Sequence, residues 1–369
     1  MTGVWVWRRA CRTFAVAGSL LWFSAMAAAQ SAQPPRHDAD VTFEGYRLRD
    51  GESVPRARIH YVTLGTPHRN AAGEIDNAVL LLHWTGNSGA SLLTPEYMKA
   101  LYASGAPLDA SRYYLIIPDS FGHGQSTRPG DGLRAHFPHY GYADLVDLQH
   151  KLVVESLGVS HLHAIVGMSM GGMNAWQWAE AYPDAMDGIM PVVAFPARVT
   201  GRNLLWRRIV IDNIRSDPAW QRGDYTSAPP GFIRGFQVLR MMIDGVPRQQ
   251  ETFRNVSDVD AYMKTVTQQI AHADPNDLLY SLDSSQDYDP EPGLDKIKAR
   301  VFALNFGDDE FNPDSLGILE RAMTRVKEGR YIVTQGTPQS YGHLTMAHPA
   351  QWSGYVAQFM ASLDATQPR

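Results

Sequence analysis

Hydrophobic positions follow two regimes along the chain. VTFEGYRLRDGESVPRARIHYVTLGTP (41–67) alternates apolar and polar residues on either side of Asp50-Gly51, the pattern of an antiparallel hairpin with one solvated face. Beyond it the apolar runs become continuous: NAVLLLHW (77–84), YYLIIPD (113–119), HLHAIVGM (161–168), MDGIMPVVA (186–194) and ARVFALNFG (299–307). Each is short and bounded by Gly, Pro or Asp, as a strand buried on both faces requires. Helical spacing separates most of them, as in YADLVDLQHKLVVESLG and MNAWQWAEAYPD. Buried strands alternating with helices predict an α/β fold with a mostly parallel sheet covered on both faces.

The rhythm breaks over 196–298, where NLLWRRIVIDNIRSDPAW, GFIRGFQVLRMMIDG and VDAYMKTVTQQIAHA are amphipathic at helical spacing and no buried strand is evident. This interval reads as a helical cap inserted into a core formed by 30–195 and 299–369. Most of its aromatic and methionine side chains are expected to pack; a few are expected to line a cavity beneath. The first 29 residues read as a signal peptide: Arg8, Arg9 and Arg12 precede an apolar stretch of about 16 residues that closes on Ala27-Ala28-Ala29. That stretch is short of the roughly 20 residues needed to span a bilayer, which favours cleavage near Ala29 over an anchor. Secretion or a periplasmic location is therefore expected, with no membrane association after cleavage.

Composition adds little and excludes some classes. With 44% hydrophobic and 19% charged residues the chain is globular, and a net charge of −5 without basic runs gives no reason to expect a nucleic-acid partner. Cys11, the single cysteine, precedes the apolar stretch, so the mature chain would enter an oxidising compartment without disulfides.

The chemistry concentrates in AIVGMSMGGMNAWQWA (164–179). Gly167-Met168-Ser169-Met170-Gly171 fits G-x-S-x-G, a sharp strand-to-helix turn that presents a serine at the carboxyl end of a central strand. The pattern alone is weak; an apolar strand before it and a helix directly after it supply the context. A serine hydroxyl needs a base, and the base a carboxylate, in the chain order Ser, acid, His. VFALNFGDDEFNP supplies Asp308 and Asp309, of which Asp309 is preferred as the acid, its neighbour being able to cap the turn. YGHLTMAHP supplies His343 and His348, with His343 preferred because Gly342 suits a loop delivering a side chain to the strand ends. An oxyanion hole needs two main-chain amides: Met170 offers one, and HWTGNSG offers Trp84 or Thr85, with Trp84 preferred.

Other candidates have plainer explanations. His161 and His163 alternate along a strand with no nearby carboxylate in sequence and read as structural rather than metal-binding; no metal and no cofactor are expected. GHGQS around His123 reads as a turn. DYDPEPGLD (287–295) lacks the spacing of a calcium loop and reads as a solvated connection.

Taken together, ESLGVSHLHAIVGMSMGGMNAWQWAEAYPDAMDGIM, SDPAWQRGDY, PPGFIRGFQVLR, GDDEFNP and GH resemble the homoserine O-acetyltransferase family of the α/β-hydrolase superfamily, from about Val41 onward. The resemblance implies the α/β-hydrolase fold, a helical cap, a triad of Ser169, Asp309 and His343, and a homodimer through the cap. Departures from the family are equally informative. Its catalytic histidine is followed by Asp, here Leu344; its arginine in the FP…RD segment is replaced by Ala143; and a cap position that usually carries Arg is Phe236. A zwitterionic substrate needs fixed charges of both signs, so three apolar replacements suggest an uncharged small acyl substrate. An exported protein would not normally meet acetyl-CoA. The expectation is thus a serine hydrolase cleaving an ester or related acyl bond. An acyltransferase with a different acceptor and a non-catalytic binding protein are the alternatives.

Overall fold

The computed structural model describes residues 34–365. The predicted leader lies outside them. Eight strands form one sheet in the order β1-β2-β4-β3-β5-β6-β7-β8. β1 (Arg36–Arg47) and β2 (Ser53–Leu64) form the antiparallel hairpin, with Gly51 in the turn at φ 96°, a conformation that favours glycine. β2 also pairs antiparallel with β4, and every other pairing is parallel.

The continuous apolar runs become β3 (Ala78–Leu82), β4 (Tyr114–Pro118), β5 (Leu162–Met168), β6 (Met186–Val192) and β7 (Arg300–Phe306). β8 (Gly329–Thr334) follows at the edge. Successive side chains face opposite sides of a strand, and β3 shows the consequence: Leu80 and Leu82 pack into one core, Val79 and Leu81 into the other. A single turn α1 (Pro95–Tyr97) precedes β4, and α2 (Tyr142–Lys151) and α3 (Met170–Ala181) cover one face with Trp176 and Trp178. The final helix α10 (Ser353–Asp364) covers the other with Val356 and Phe359.

Between β6 and β7 lie α4 (Gly201–Arg215), α5 (Pro230–Ile243), α6 (Val246–Thr252), α7 (Val256–Ile270) and α8 (Pro275–Asp283). α9 (Ile318–Met323) links β7 to β8. No helix among the described residues is long and apolar enough to cross a membrane.

Two local readings need correction. The acidic segment 287–295 is not merely solvated: Asp287 accepts from the Tyr142 and Ala143 amides at 2.8 and 3.0 Å, capping α2, and Tyr288 is fully buried with its hydroxyl donating to Phe195 O at 2.7 Å. His161 and His163 do have a carboxylate partner, Asp187, at 2.8 and 3.0 Å. It comes from the neighbouring strand β6, which local sequence could not reveal.

Candidate active site

Strand register sets the site. Leu82 of β3 lies opposite Gly167 of β5, and Met168 lies opposite Val192 of β6, so the carboxyl ends of the central strands finish level. Ser169 sits between β5 and α3 with φ 52° and ψ −113°, a strained conformation for a residue with a side chain. The neighbourhood holds it there: its amide donates to Val192 O at 2.9 Å and its carbonyl accepts from Met173 at 2.8 Å. A Cβ at Gly167 would fall 2.1 Å from Gly171 O, and one at Gly171 would fall 2.3 Å from Leu82 O. The glycines are thus demanded by contact, since the turn presses helix and strand backbones together.

The acid and base arrive from the other side of the chain. Asp308 and Asp309 follow β7, and His343 opens a 3-10 turn (Gly342–Ala347) after Gly342 at φ 56°. His343 Nε2 lies 2.8 Å from Ser169 Oγ, and Nδ1 lies 2.9 Å from Asp309 Oδ2. Asp309 is itself fixed: Oδ1 accepts from the Phe311 and Asn312 amides at 2.8 and 3.3 Å, and Oδ2 accepts from Asn312 Nδ2 at 3.0 Å. All three side chains are buried. Asp308 points elsewhere, accepting from Ser340 Oγ at 2.6 Å and the Gly342 amide at 3.0 Å, which anchors the histidine loop. His348 stacks on Tyr341 and faces Glu96 at 3.4 Å, away from the serine.

A carboxylate facing Nδ1 fixes the imidazole tautomer that leaves Nε2 bare to accept the Ser169 proton. Asn312, which sequence reasoning passed over, braces that carboxylate; its Nδ2 also donates to Val193 O at 2.9 Å. Phe311 packs its ring 4.6 Å from the His343 ring.

Met170 is the first residue of α3, where amides lack intrahelical partners, and Trp84 comes two residues after the end of β3. Trp84 and Thr85 both line the cavity that holds Ser169. The Trp84 segment is tied down by His83, whose Nδ1 donates to Trp84 O at 2.9 Å while Nε2 accepts from the Ser120 amide at 3.0 Å. Burial pushes the His83 pKa down, keeping the ring neutral as that bonding requires. His123, read from sequence only as part of a turn, also lines the cavity and lies 5.3 Å from the His83 ring. Its Nδ1 donates to Phe121 O at 3.0 Å and Nε2 accepts from Ser281 Oγ of α8 at 2.7 Å. Burial pushes its pKa down to about 3.

The cavity has a volume of about 890 Å³ and is roofed by the inserted helices, which contribute Trp206, Phe236, Leu239 and Leu278. Leu344 and Phe236 line it, but Ala143 does not; that residue lies in the first turn of α2, where its amide meets Asp287. The chamber is not free of charge. Arg207 of α4 lines it and is only 4% exposed. Among the described residues no group of three or more His, Cys, Asp or Glu converges as a metal site.

Sheet order, the strained serine turn and the inserted helices define an α/β hydrolase. The family model for the alpha/beta hydrolase fold matches residues 77–335, and the chain belongs to that family. It is 26% identical over 319 residues to a probable acyltransferase of Methanothermobacter thermautotrophicus, covering 86% of this chain and 95% of that one. It is 28% identical over 331 residues to homoserine O-acetyltransferase of Haemophilus influenzae, covering 79% and 89%, and 32% identical to that of Thermobifida fusca over 208 residues, 52% and 53%. Similar solved structures include the acetyl esterase MekB (TM-score 0.74, 21% identity, 88% of this chain and 97% of that one) and homoserine O-acetyltransferase from Bacillus anthracis (0.77, 20%, 88% and 97%). The protein is an enzyme of this superfamily, and the proteins it resembles include a probable acyltransferase, homoserine O-acetyltransferases and an acetyl esterase.

Proposed function

We propose that the protein is an exported serine hydrolase that cleaves an ester or related acyl bond of a small substrate through an acyl-enzyme on Ser169. The observation that carries this reading is the unbroken chain from Ser169 Oγ through His343 to Asp309, at 2.8 and 2.9 Å, opening into a closed-over cavity. Ser169 Oγ attacks the acyl carbonyl as Nε2 takes its proton, and the main-chain amides of Met170 and Trp84 receive the negative charge on the carbonyl oxygen. The imidazolium returns the proton to the leaving group. Water, deprotonated by the same nitrogen, then releases the acid and restores the serine. Asp309 holds the ring and offsets its transient charge. An uncharged substrate does not follow from this chamber, because Arg207 lines it.

Acyl transfer to an alcohol shares every step but the last, and relatives named as acyltransferases keep it as the second reading. Turnover of a p-nitrophenyl ester series with and without acceptor alcohols separates the two: hydrolysis in water alone supports the proposal, and strictly acceptor-dependent turnover replaces it with transfer. Labelling by a fluorophosphonate that vanishes in Ser169→Ala supports the nucleophile; an unlabelled wild type sinks it. For export, the residue composition of 1–29 is the support.

A further inference from the structure

The chamber contains polar groups that the acyl chemistry does not use. Arg207 Nε donates to Asn203 Oδ1 at 2.9 Å and Nη1 to Ser285 Oγ at 3.3 Å, and the guanidinium lies 4.9 Å from the Trp206 ring centre. All three neighbours are neutral. Among the described residues no carboxylate pairs with Arg207. Other arginines around the cavity differ: Arg128 pairs with Asp277 at 2.8 Å, Arg134 faces Asp224 at 3.9 Å, and half-buried Arg240 donates to the Tyr262 hydroxyl at 3.2 Å. A buried cation left without a counter-charge is strongly unfavourable, so its retention at a cavity wall calls for an anion.

Thr85 lines the same chamber as Arg207 and Ser169. Tyr142 lies behind the wall, fully buried in the core; burial raises its pKa, while the Arg207 guanidinium and the Thr85 hydroxyl pull it part of the way back, so it too meets Arg207 as an uncharged neighbour. The guanidinium shares walls with the reacting residues. Thr85 follows Trp84 in the chain, and Trp206 stacks at 4.7 Å on Phe311, which packs against His343.

We propose that Arg207, with Thr85 of the same chamber, forms a carboxylate-binding subsite, so that the acyl compound processed at Ser169 carries a carboxylate remote from its scissile bond. One positive charge matches a monoanion; a phosphate dianion would leave a buried negative charge uncompensated. A guanidinium edge also suits the lone pairs of a planar carboxylate. The position differs from Leu344, Ala143 and Phe236, where sequence comparison looked for charge. The proposal takes its chemistry from the Ser169 reading but not its binding, which can be measured alone.

The test is calorimetric titration of the Ser169→Ala protein with two matched pairs: monomethyl against dimethyl glutarate, placing the charge on the acyl side, and acetoxyacetate against its methyl ester, placing it on the alcohol side. The carboxylate should bind at least tenfold more tightly than its neutral partner in one pair, and that preference should disappear in Arg207→Gln. Because Arg207 also holds Asn203 and Ser285, Thr85→Val, which leaves both of those bonds in place, should reduce the preference severalfold if Arg207→Gln does not fold. Lack of preference in both pairs, undetectable binding included, overturns the subsite, as does a preference that survives in these variants. A carboxylate preference in a protein whose wild type resists fluorophosphonate would retain the subsite and discard the nucleophile.

Discussion

Replacing Asp309 with Asn tests the acid assignment against its neighbour. At position 309 one oxygen must keep accepting the Phe311 and Asn312 amides, so the new amide nitrogen is forced to the Oδ2 position. There it faces two other donors, His343 Nδ1 at 2.9 Å and Asn312 Nδ2 at 3.0 Å. The imidazole relieves one conflict by moving its proton to Nε2, the atom that must receive the serine proton. Loss of the correct tautomer in such a triad lowers kcat by about ten-thousandfold, or about 5.5 kcal/mol of transition-state stabilisation. The conflict with Asn312 should also reduce stability by about 1–3 kcal/mol. Asp308→Asn is the control. Asp308 Oδ1 has no hydrogen-bond partner among the described residues, so an amide nitrogen can sit there while the oxygen keeps Ser340 and Gly342. That variant should stay within about tenfold of the wild type, since none of its bonds reaches the imidazole. Steady-state hydrolysis of p-nitrophenyl acetate, with urea unfolding to establish folding, reads both. A folded Asp309→Asn protein retaining more than about a hundredth of wild-type kcat, or an equal loss in Asp308→Asn, would refute the argument from hydrogen-bond direction.

Further expectations follow from packing, burial and the leader. Gly171→Ala places a methyl 2.3 Å from Leu82 O and should destabilise by about 3 kcal/mol or more in urea unfolding, whereas Gly354→Ala in α10, with no atom within 4 Å of the new methyl, should be neutral or stabilise by up to about 1 kcal/mol. His83 and His123 are held neutral by burial, with native pKa values below the unfolded one, so the unfolded chain binds more protons below about pH 6.5. Their contribution is therefore full above pH 6.5 and declines on acidification, by up to about 1.4 kcal/mol per pH unit for each ring. Comparing urea unfolding in the wild type and a His123→Phe variant between pH 7.5 and 5 should show a steeper acid slope in the wild type, and parallel slopes would contradict it. Intact mass of protein recovered from the periplasm or medium of an expressing bacterium should begin near residue 30; a retained leader would speak against export.

The sheet and the turn at Ser169 were legible for a shared reason: each depends on patterns local to the chain. Continuous apolar runs marked β3 to β7, and the Gly-flanked Ser169 marked the elbow. β8 (GRYIVT) escaped because it is an edge strand whose side chains are exposed or half-buried, so it carries no continuous apolar signal. Asp308 and Asp309 were both plausible acids, because adjacent residues in a turn diverge in ways that composition does not specify. Asn312 and His123 were invisible as supports since their partners, Val193 and Ser281, lie 119 and 158 positions away. The acidic 287–295 segment misled for the opposite reason: its composition suggested solvent, while Asp287 was needed at the amides opening α2.

Chemistry and selectivity are therefore written in different parts of the molecule. The strain at Ser169 is sustained by contacts among β3, β5, β6 and α3: Gly171 against Leu82, Gly167 against Gly171, and the serine amide on Val192. His343 and Asp309 reach it from turns after β8 and β7. None of those contacts involves the helices between β6 and β7, which instead supply Trp206, Arg207, Phe236 and Leu239 to the chamber. A helix can exchange one inward side chain for another without disturbing strand register, so this insertion can change which acyl compound is admitted while the reacting groups stay fixed. The same freedom hid Arg207: amphipathic spacing marks which face turns inward, but a cation on that face becomes informative only when the structure shows that no carboxylate meets it.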